Sequence, residues 1–288
     1  TAGSAGDGIG RILAPRLAEL LGQPVVFENA GGAGGSTGTI RVAKGRADGY
    51  QFLLGGTFTV VNQTIHRTPP YNTATDFAPV VLLADQPTVL IARKDLPANN
   101  LQELIAYTRA NRGKIQFGSA GVGSVTHLSC LLLTNAIAAD AMHVPYRGGG
   151  SALQDLLAGR IDHQCPILTV ALPHIQAGTV KAIAILSKQR SPALPDLASA
   201  HEQGLTAFDV TNWYAFFLPK GTPATIVQKL HDASVAALET PSVQARLEAI
   251  GAIVVAPEHR SSDYLQGFVA REVEKWAIPI KAAGAQID

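Results

Sequence analysis

Sulfur and charge are both scarce in this chain of 288 residues, which holds 2 Cys, 1 Met and only 16% charged residues. With 23 Lys+Arg against 22 Asp+Glu, and no run of like sign, there is no basic excess to grip a phosphate backbone or an anionic membrane. Nucleic acid is therefore excluded as the expected partner. Long apolar runs are absent too. The best stretches, 80–84 and 89–92, fall far short of the roughly 20 residues that cross a bilayer. The opening Thr1-Ala2-Gly3-Ser4 has neither the charged n-region nor the apolar core of a secretory signal, which leaves the compartment open. What is present is 47% hydrophobic residues, 28 Gly and 17 Pro, the composition of a globular chain long enough to bury about three quarters of its unfolded surface.

Two cysteines cannot build a disulfide framework. Cys130 and Cys165 are read as either one bridge or two buried thiols. A third arrangement pairs His127 with Cys130 on a helix and His163 with Cys165 on a strand as tetrahedral metal ligands. Its spacing differs from the usual zinc knuckles, and Asp162 would point away from His163, so no metal is expected.

Apolar residues Ile9, Ile12, Leu13, Leu17, Leu20 and Leu21 recur at helical spacing, with Asp7 placed to cap the helix and Gly22 to end it. Residues 25–28 read as a strand, 36–44 as a helix, and 50–54, 77–84 and 89–93 as strands. A second set follows. Helices are expected at 101–111, 124–138, 151–158 and 169–177, alternating with strands at 115–118, 141–144, 161–165 and 180–186. Residues 188–205 form a Pro- and Ser-rich excursion with a short helix ending near Gly204. A strand at 210–218, helices at 223–239, 242–250 and 262–283, and a short strand at 253–255 complete the chain. Such alternation implies an α/β fold with largely parallel sheets covered by helices. The helical C-terminus has no complete sheet of its own, so it is expected to return to the first set. The resulting domains are 1–93 with 218–288, interrupted by an inserted 94–217, and the two crossings would act as a hinge.

Three segments share a pattern in which a glycine- and hydroxyl-rich turn opens a helix: residues 2–7, 118–124 and 146–151. Free amides at a helix N-terminus, reinforced by the helix dipole, bind anions. Tight βα turns need glycine in any case, so one such loop alone is weak evidence. Three of them, with Ser4, Ser119, Ser124, Thr126 and Arg147 among them, point to a ligand held at the carboxyl ends of strands. A fourth cluster at 31–36 lacks the Lys-Ser/Thr of a P-loop and the spacing of a dinucleotide fingerprint, so no cofactor is expected.

The enzymatic alternative is a hydrolase using Ser124 with His127 as base, or a metal enzyme on the His/Cys site. Gly34-Gly35-Ser36-Thr37-Gly38 fits the nucleophile-elbow pattern, but several loop residues separate it from the preceding strand. No carboxylate pair stands in a glycine loop to act as acid and base.

Ala2-Gly3-Ser4 through Asp7 and Arg11, Leu21-Gly22-Gln23-Pro24-Val25-Val26-Phe27-Glu28-Asn29, Ala47-Asp48-Gly49-Tyr50, residues 118–124 with His127-Leu128, His143-Val144-Pro145-Tyr146-Arg147-Gly148-Gly149, Arg190-Ser191-Pro192, Trp213 and Pro219-Lys220-Gly221-Thr222-Pro223 occur in order. Together they resemble the periplasmic solute-binding proteins of tripartite tricarboxylate transporters, the Bug receptors. The resemblance implies a two-lobed type II periplasmic-binding-protein fold, each lobe a mostly parallel sheet flanked by helices, with the ligand cleft between the lobes. It implies a monomeric, periplasmic receptor rather than an enzyme, one that closes on a small organic carboxylate and delivers it to membrane partners. Carried over residue by residue, the ligand-binding set is Ala2, Gly3, Ser4, Ser119, Ala120, Gly121, Gly123, Ser124, His127, Arg147, Gly148 and Gly149.

Two departures from the family pattern bear on the site. The family's first strand enters the first ligand loop, and this sequence starts inside that loop. Many relatives also carry an acid at the position of Pro166, where it meets a ligand ammonium; proline disfavours an amino acid and favours a dicarboxylate or an aromatic carboxylate. Phe58 and Trp213 are read as either an apolar lining or core.

Overall fold

A computed structural model describes residues 2–282, Gly284 and Gln286. In chain order the elements are α1 (Ala5–Leu21), α2 (Ser36–Ala43), β1 (Leu53–Gly56), α3 (Thr57–Ile65), β2 (Phe77–Pro87), β3 (Val89–Arg93), α4 (Leu101–Ala110), β4 (Gln116–Ser119), α5 (Val125–Ala136) and β5 (Met142–Pro145). There follow α6 (Gly149–Leu157), β6 (His163–Gln164), α7 (Leu168–Gln176), β7 (Val180–Ile185), β8 (Thr211–Pro219), α8 (Ala224–Leu238), α9 (Pro241–Ala249), β9 (Ile253–Val254) and α10 (Ser262–Ala282). The expected end of the last helix, Ala283, lies outside the described residues.

The chain forms two compact units, one of residues up to Asp85 together with the segment from Trp213 onward, the other Gln86–Asn212. The expected boundaries at 93/94 and 217/218 are displaced. β3 lies wholly in the second unit because it pairs with β6 and β7, and most of β8 lies in the first because it pairs with β1.

In the first unit the sheet order is β1-β8-β2-β9, and β1–β8 and β2–β9 are both antiparallel. This corrects the expectation of a mostly parallel sheet there. β1 pairs with a strand that arrives from the far end of the chain, so no crossover helix sets their relative direction. The core is led by Trp213, Phe217, Ile9, Leu13, Leu17 and Ile65. Trp213 is thus core rather than an apolar lining. Its indole N–H donates to Glu272 Oε2 at 2.9 Å, and the Trp276 indole donates to the same oxygen at 3.2 Å.

Helix α1 is capped by Ser4, whose Oγ accepts the Asp7 N–H at 3.3 Å, and it ends at Gly22 in the left-handed region. Asp7, the expected cap, sits within the first turn instead. Residues 25–28 form no ladder, contrary to expectation. The Phe27 ring lies directly against Gly10 of α1, where any Cβ would collide with it. Helix α3 was not foreseen, because Thr57-Phe58-Thr59-Val60-Val61 is β-branched and aromatic. Burial decides it: Val60, Val61 and Ile65 are fully covered, and Thr59 Oγ1 donates to the Gly56 carbonyl at 2.6 Å.

In the second unit the order is β5-β4-β6-β3-β7. β4 is parallel to β5 and β6, while β3 is antiparallel to both β6 and β7. Four strands therefore run one way, and β3, the strand by which the chain enters the unit, runs the other. Leu153, Leu156, Ile161, Leu168, Ala171 and Leu172 pack α6 and α7 against this sheet. Residues 188–205 are turns without the expected helix, pinned by Arg190 on both Glu202 oxygens at 3.0 Å.

Candidate functional site

Because β4 lies parallel between β5 and β6, their carboxyl ends open at one edge, and each leads into a helix: α5, α6 and α7. That edge is where open α/β sheets place ligands.

The loop from Ser119 to Ser124 is a closed hydrogen-bond network. Ser119 Oγ accepts the Gly121 N–H at 3.1 Å, and Thr126 Oγ1 accepts the Ala120 N–H at 2.9 Å. His127 Nδ1 accepts the Gly123 N–H at 3.3 Å. Ser124 caps α5 by accepting the His127 N–H at 3.2 Å and donates its own proton to the Gly121 carbonyl at 2.7 Å. Gly121 and Gly123 have φ of +115° and +77°, so these two glycines are required by the turn itself. The loop amides foreseen as anion donors are thus largely engaged. What it still offers is the N–H groups of Val122, Val125 and Thr126, for which no acceptor is found among the described residues.

The same network removes the hydrolase alternative. The Ser124 proton is given to a carbonyl and His127 Nδ1 is occupied by an amide, so Ser124 and His127 form no serine–imidazole couple. Ser36, the other serine considered, is buried at the start of α2. The metal alternative fails on chemistry as well. Cys130 and Cys165 are joined as a disulfide, and the described residues contain no group of three His, Cys, Asp or Glu able to hold a metal ion.

Beneath the loop lies a layer the sequence reading missed. Phe117 is in register with His143 on one side and His163 on the other, so all three point to one face. Their rings stack at centroid distances of 4.9 and 5.8 Å, and His127 adds a ring 4.1 Å from His143. His143 Nε2 lies 2.6 Å from Ser119 Oγ. Burial pushes His127 down to about 4, helped by repulsion from His143, and burial alone pushes His163 down to about 4. The signal was available as equal parity of Phe117, His143 and His163 within neighbouring strands, but the pairing of those strands was not.

In the first unit, Gly3 adopts φ +73° and donates its N–H to Asp7 Oδ2 at 3.0 Å. Asp7 Oδ1 also accepts from Asn29 at 2.6 Å and Arg11 at 2.8 Å. The Asn29 amide, the Gly3 N–H and Arg11 hold the Asp7 carboxyl below its usual range. A carboxylate of the protein's own therefore sits on the loop of Ala2, Gly3 and Ser4.

The start of α6 is built differently. Its N-cap, Gly148, is extended and has no side chain to cap with. A Cβ at Gly148, Gly149 or Gly150 would meet nothing within 4 Å, and none of the three has a positive φ. Neither packing nor turn geometry within the chain demands these glycines, and what they leave is open space above free amides. Arg147 is exposed, and no carboxylate of the described residues pairs with it. Asp155, on the same helix, is taken by Tyr146 Oη at 2.7 Å and Arg160 at 2.8 Å.

A sheet edge that presents uncapped helix amides and an exposed arginine has the chemistry to hold a small anion. Residues 9–285 match the family described as tripartite tricarboxylate transporter family receptor, and the chain belongs to that family. It is a solute-binding receptor and not an enzyme, as its relatives are. The periplasmic binding protein BugD is 37% identical, with a TM-score of 0.92 over 99% of this chain and 95% of its own. MatC from Rhodopseudomonas palustris, solved with bound malate, is 36% identical, with a TM-score of 0.91 over 97% and 96%. A further R. palustris protein, solved with adipate, is 32% identical, with a TM-score of 0.92 over 99% and 94%.

Proposed function

We propose that this chain is a periplasmic, monomeric receptor that captures a small organic carboxylate, a dicarboxylate or an aromatic carboxylate, and delivers it to the membrane components of a tripartite tricarboxylate-type transporter. The observation that carries this reading is the start of α6, where free amides, three glycines set in open space and the unpaired Arg147 offer an anion charge-assisted hydrogen bonds. Ala2, Gly3, Ser4, Ser119, Ala120, Gly121, Gly123, Ser124, His127, Arg147, Gly148 and Gly149 are its proposed ligand-binding residues. Within that set Arg147, Gly148 and Gly149 contact the anion directly, while Ser119, Ser124 and His127 hold the shape of the α5 loop. The malate and adipate bound to relatives support a carboxylate ligand. Pro166, which is buried and has no ionisable group, disfavours a ligand ammonium.

A thermal-shift screen against C4 to C9 dicarboxylates, citrate, benzoates, phthalates and amino acids tests the reading, with each hit confirmed by calorimetry. At about 100 times its Kd a ligand adds about 2.7 kcal/mol and raises Tm by several degrees. One-to-one binding of a carboxylate is the expected result. A folded chain that binds none of these acids would overturn it. Loss of carboxylate uptake in cells lacking this chain, with the membrane components intact, tests delivery.

A further inference from the structure

The Ser119 hydroxyl has one proton and two acceptors in reach, His143 Nε2 at 2.6 Å and the Gly121 carbonyl at 3.2 Å. That carbonyl already takes the Ser124 hydroxyl at 2.7 Å and the Ser124 N–H at 3.2 Å, which fills both of its lone pairs. The Ser119 proton therefore goes to a neutral His143. Ser124 Oγ and Thr126 Oγ1 lie 3.0 Å apart, and either can donate. With the Ser124 proton on the carbonyl, the Thr126 proton has Ser124 Oγ as its acceptor, and all three hydroxyl protons are spent.

A proton taken up at His143 Nε2 reverses this chain of hydroxyls without breaking the turn. The imidazolium donates to Ser119 Oγ, the Ser119 proton turns to the Gly121 carbonyl, the Ser124 proton turns to Thr126 Oγ1, and the Thr126 proton is released. Thr126 is half-buried, and its own N–H is one of the amides left open at the start of α5. One proton thus places a positive charge under the loop and a free O–H donor on it, and both favour an anion. The start of α6 adjoins this loop. Tyr146, which precedes Arg147, donates its N–H to the Ser119 carbonyl at 3.1 Å, and its own carbonyl stands 3.2 Å from where a Cβ on Gly121 would lie.

We propose that His143 makes anion capture by this receptor proton-coupled, one proton entering through the Ser119, Ser124 and Thr126 hydroxyls as the anion settles on the open amides and Arg147. The titratable groups facing His143 are His127 on α5, with its ring 4.1 Å away, and His163 on β6, across Phe117 on β4. His127 stays neutral because its Nδ1 accepts the Gly123 N–H, so the layer takes one charge and not two. Asp162, beside His163, is paired with Arg93 at 3.0 Å, and no carboxylate of the described residues forms an ion pair with His143. Burial alone lowers His143 in the free chain, and a bound anion supplies the counter-charge it lacks. By linkage the proton and the anion then strengthen each other. The inference rests on the carboxylate-receptor reading above.

Calorimetry of the full chain with L-malate, adipate and benzoate, in buffers of different ionisation enthalpy, counts the protons exchanged on binding. Net uptake is expected at pH 7, and Kd should tighten as pH falls from 8 to 6, by up to about tenfold per unit. His143→Gln keeps an acceptor for Ser119 but cannot ionise. It should bind at pH 8 within about threefold of the wild type and show neither uptake nor a pH slope, the comparison cancelling the acid's own titration. Nuclear magnetic resonance of the wild-type imidazoles needs no variant to fold: the His143 titration midpoint should rise by about one unit or more when the acid is bound. Binding without proton uptake overturns the inference and leaves the receptor reading standing, as does uptake that survives His143→Gln. Should none of the three acids bind, the receptor reading itself fails and this inference falls with it.

Discussion

His127 Nδ1 accepts the N–H of Gly123 at 3.3 Å, so the imidazole four residues along α5 holds the turn that precedes it, and it can do so only while neutral. Burial stacks that ring on His143 and Phe117 and keeps it neutral at ordinary pH.

The first prediction follows from the sign of this linkage. His127 and His163 are both pushed below the ordinary histidine value of 6.5 to about 4. Between pH 6.5 and 4 the unfolded chain binds more protons than the folded one, so stability is full above about 6.5 and is lost as pH falls through 4. Each ring accounts for about 3 kcal/mol once the descent is complete. Tm followed by circular dichroism should fall steeply over this window. A flat profile from pH 7 to 4 would contradict the buried, neutral histidine layer.

The disulfide between Cys130 and Cys165 ties α5 to the end of β6 across 35 residues of sequence. Closing a loop of that length restricts the unfolded chain by about 4 kcal/mol in the entropic account. Unfolding free energies from denaturant titrations with and without a strong reductant should differ by about 2 to 4 kcal/mol, with Cys130→Ser/Cys165→Ser matching the reduced protein. An unchanged midpoint on full reduction would refute this.

At the start of α6, fold and binding should separate cleanly. Arg147 is exposed and Gly148 has open space where a Cβ would go. Arg147→Ala should weaken carboxylate binding about 10-fold to 100-fold, the range of a charge-assisted hydrogen bond. Gly148→Val should block ligand approach while shifting the ligand-free Tm by little. A large loss of ligand-free stability in either variant would mean that these residues serve the fold.

Glu272 is buried in α10 and accepts both indole N–H groups, from Trp213 and Trp276, on one oxygen, while Lys275 approaches the other at 3.3 Å. Removing it strands two buried donors. Glu272→Ala should destabilise the chain by about 3 kcal/mol, and Glu272→Gln, which keeps an acceptor, by less. Urea unfolding followed by tryptophan fluorescence reads both. Equal losses in the two variants would show that volume rather than hydrogen bonding dominates.

Much of the architecture was legible because it rests on local chemistry. Apolar spacing located α1, α4 and α8, and Ser124 and Gly22 sit where capping rules put them. The glycine loops were visible for the same reason. The failures came where a neighbour overrode local preference. Residues 25–28 look like a strand but are held by Phe27 against Gly10, and 57–65 look β-rich but fold as a helix to bury Val60 and Val61.

The sequence by itself determined the class of element at most positions, the polarity of the surface and the chemistry on offer: anion-binding helix starts, Arg147 beside one of them, two cysteines. Only the tertiary structure decided which of those offers stay open. Hydrogen-bond donors and acceptors are consumed pairwise by whatever the fold brings within about 3 Å. Strand register, set by pairing between distant segments, joined the two cysteines, stacked His143 and His163 on Phe117, and engaged most of the amides of the α5 loop. The same register left Arg147 and the first amides of α6 without partners among the described residues.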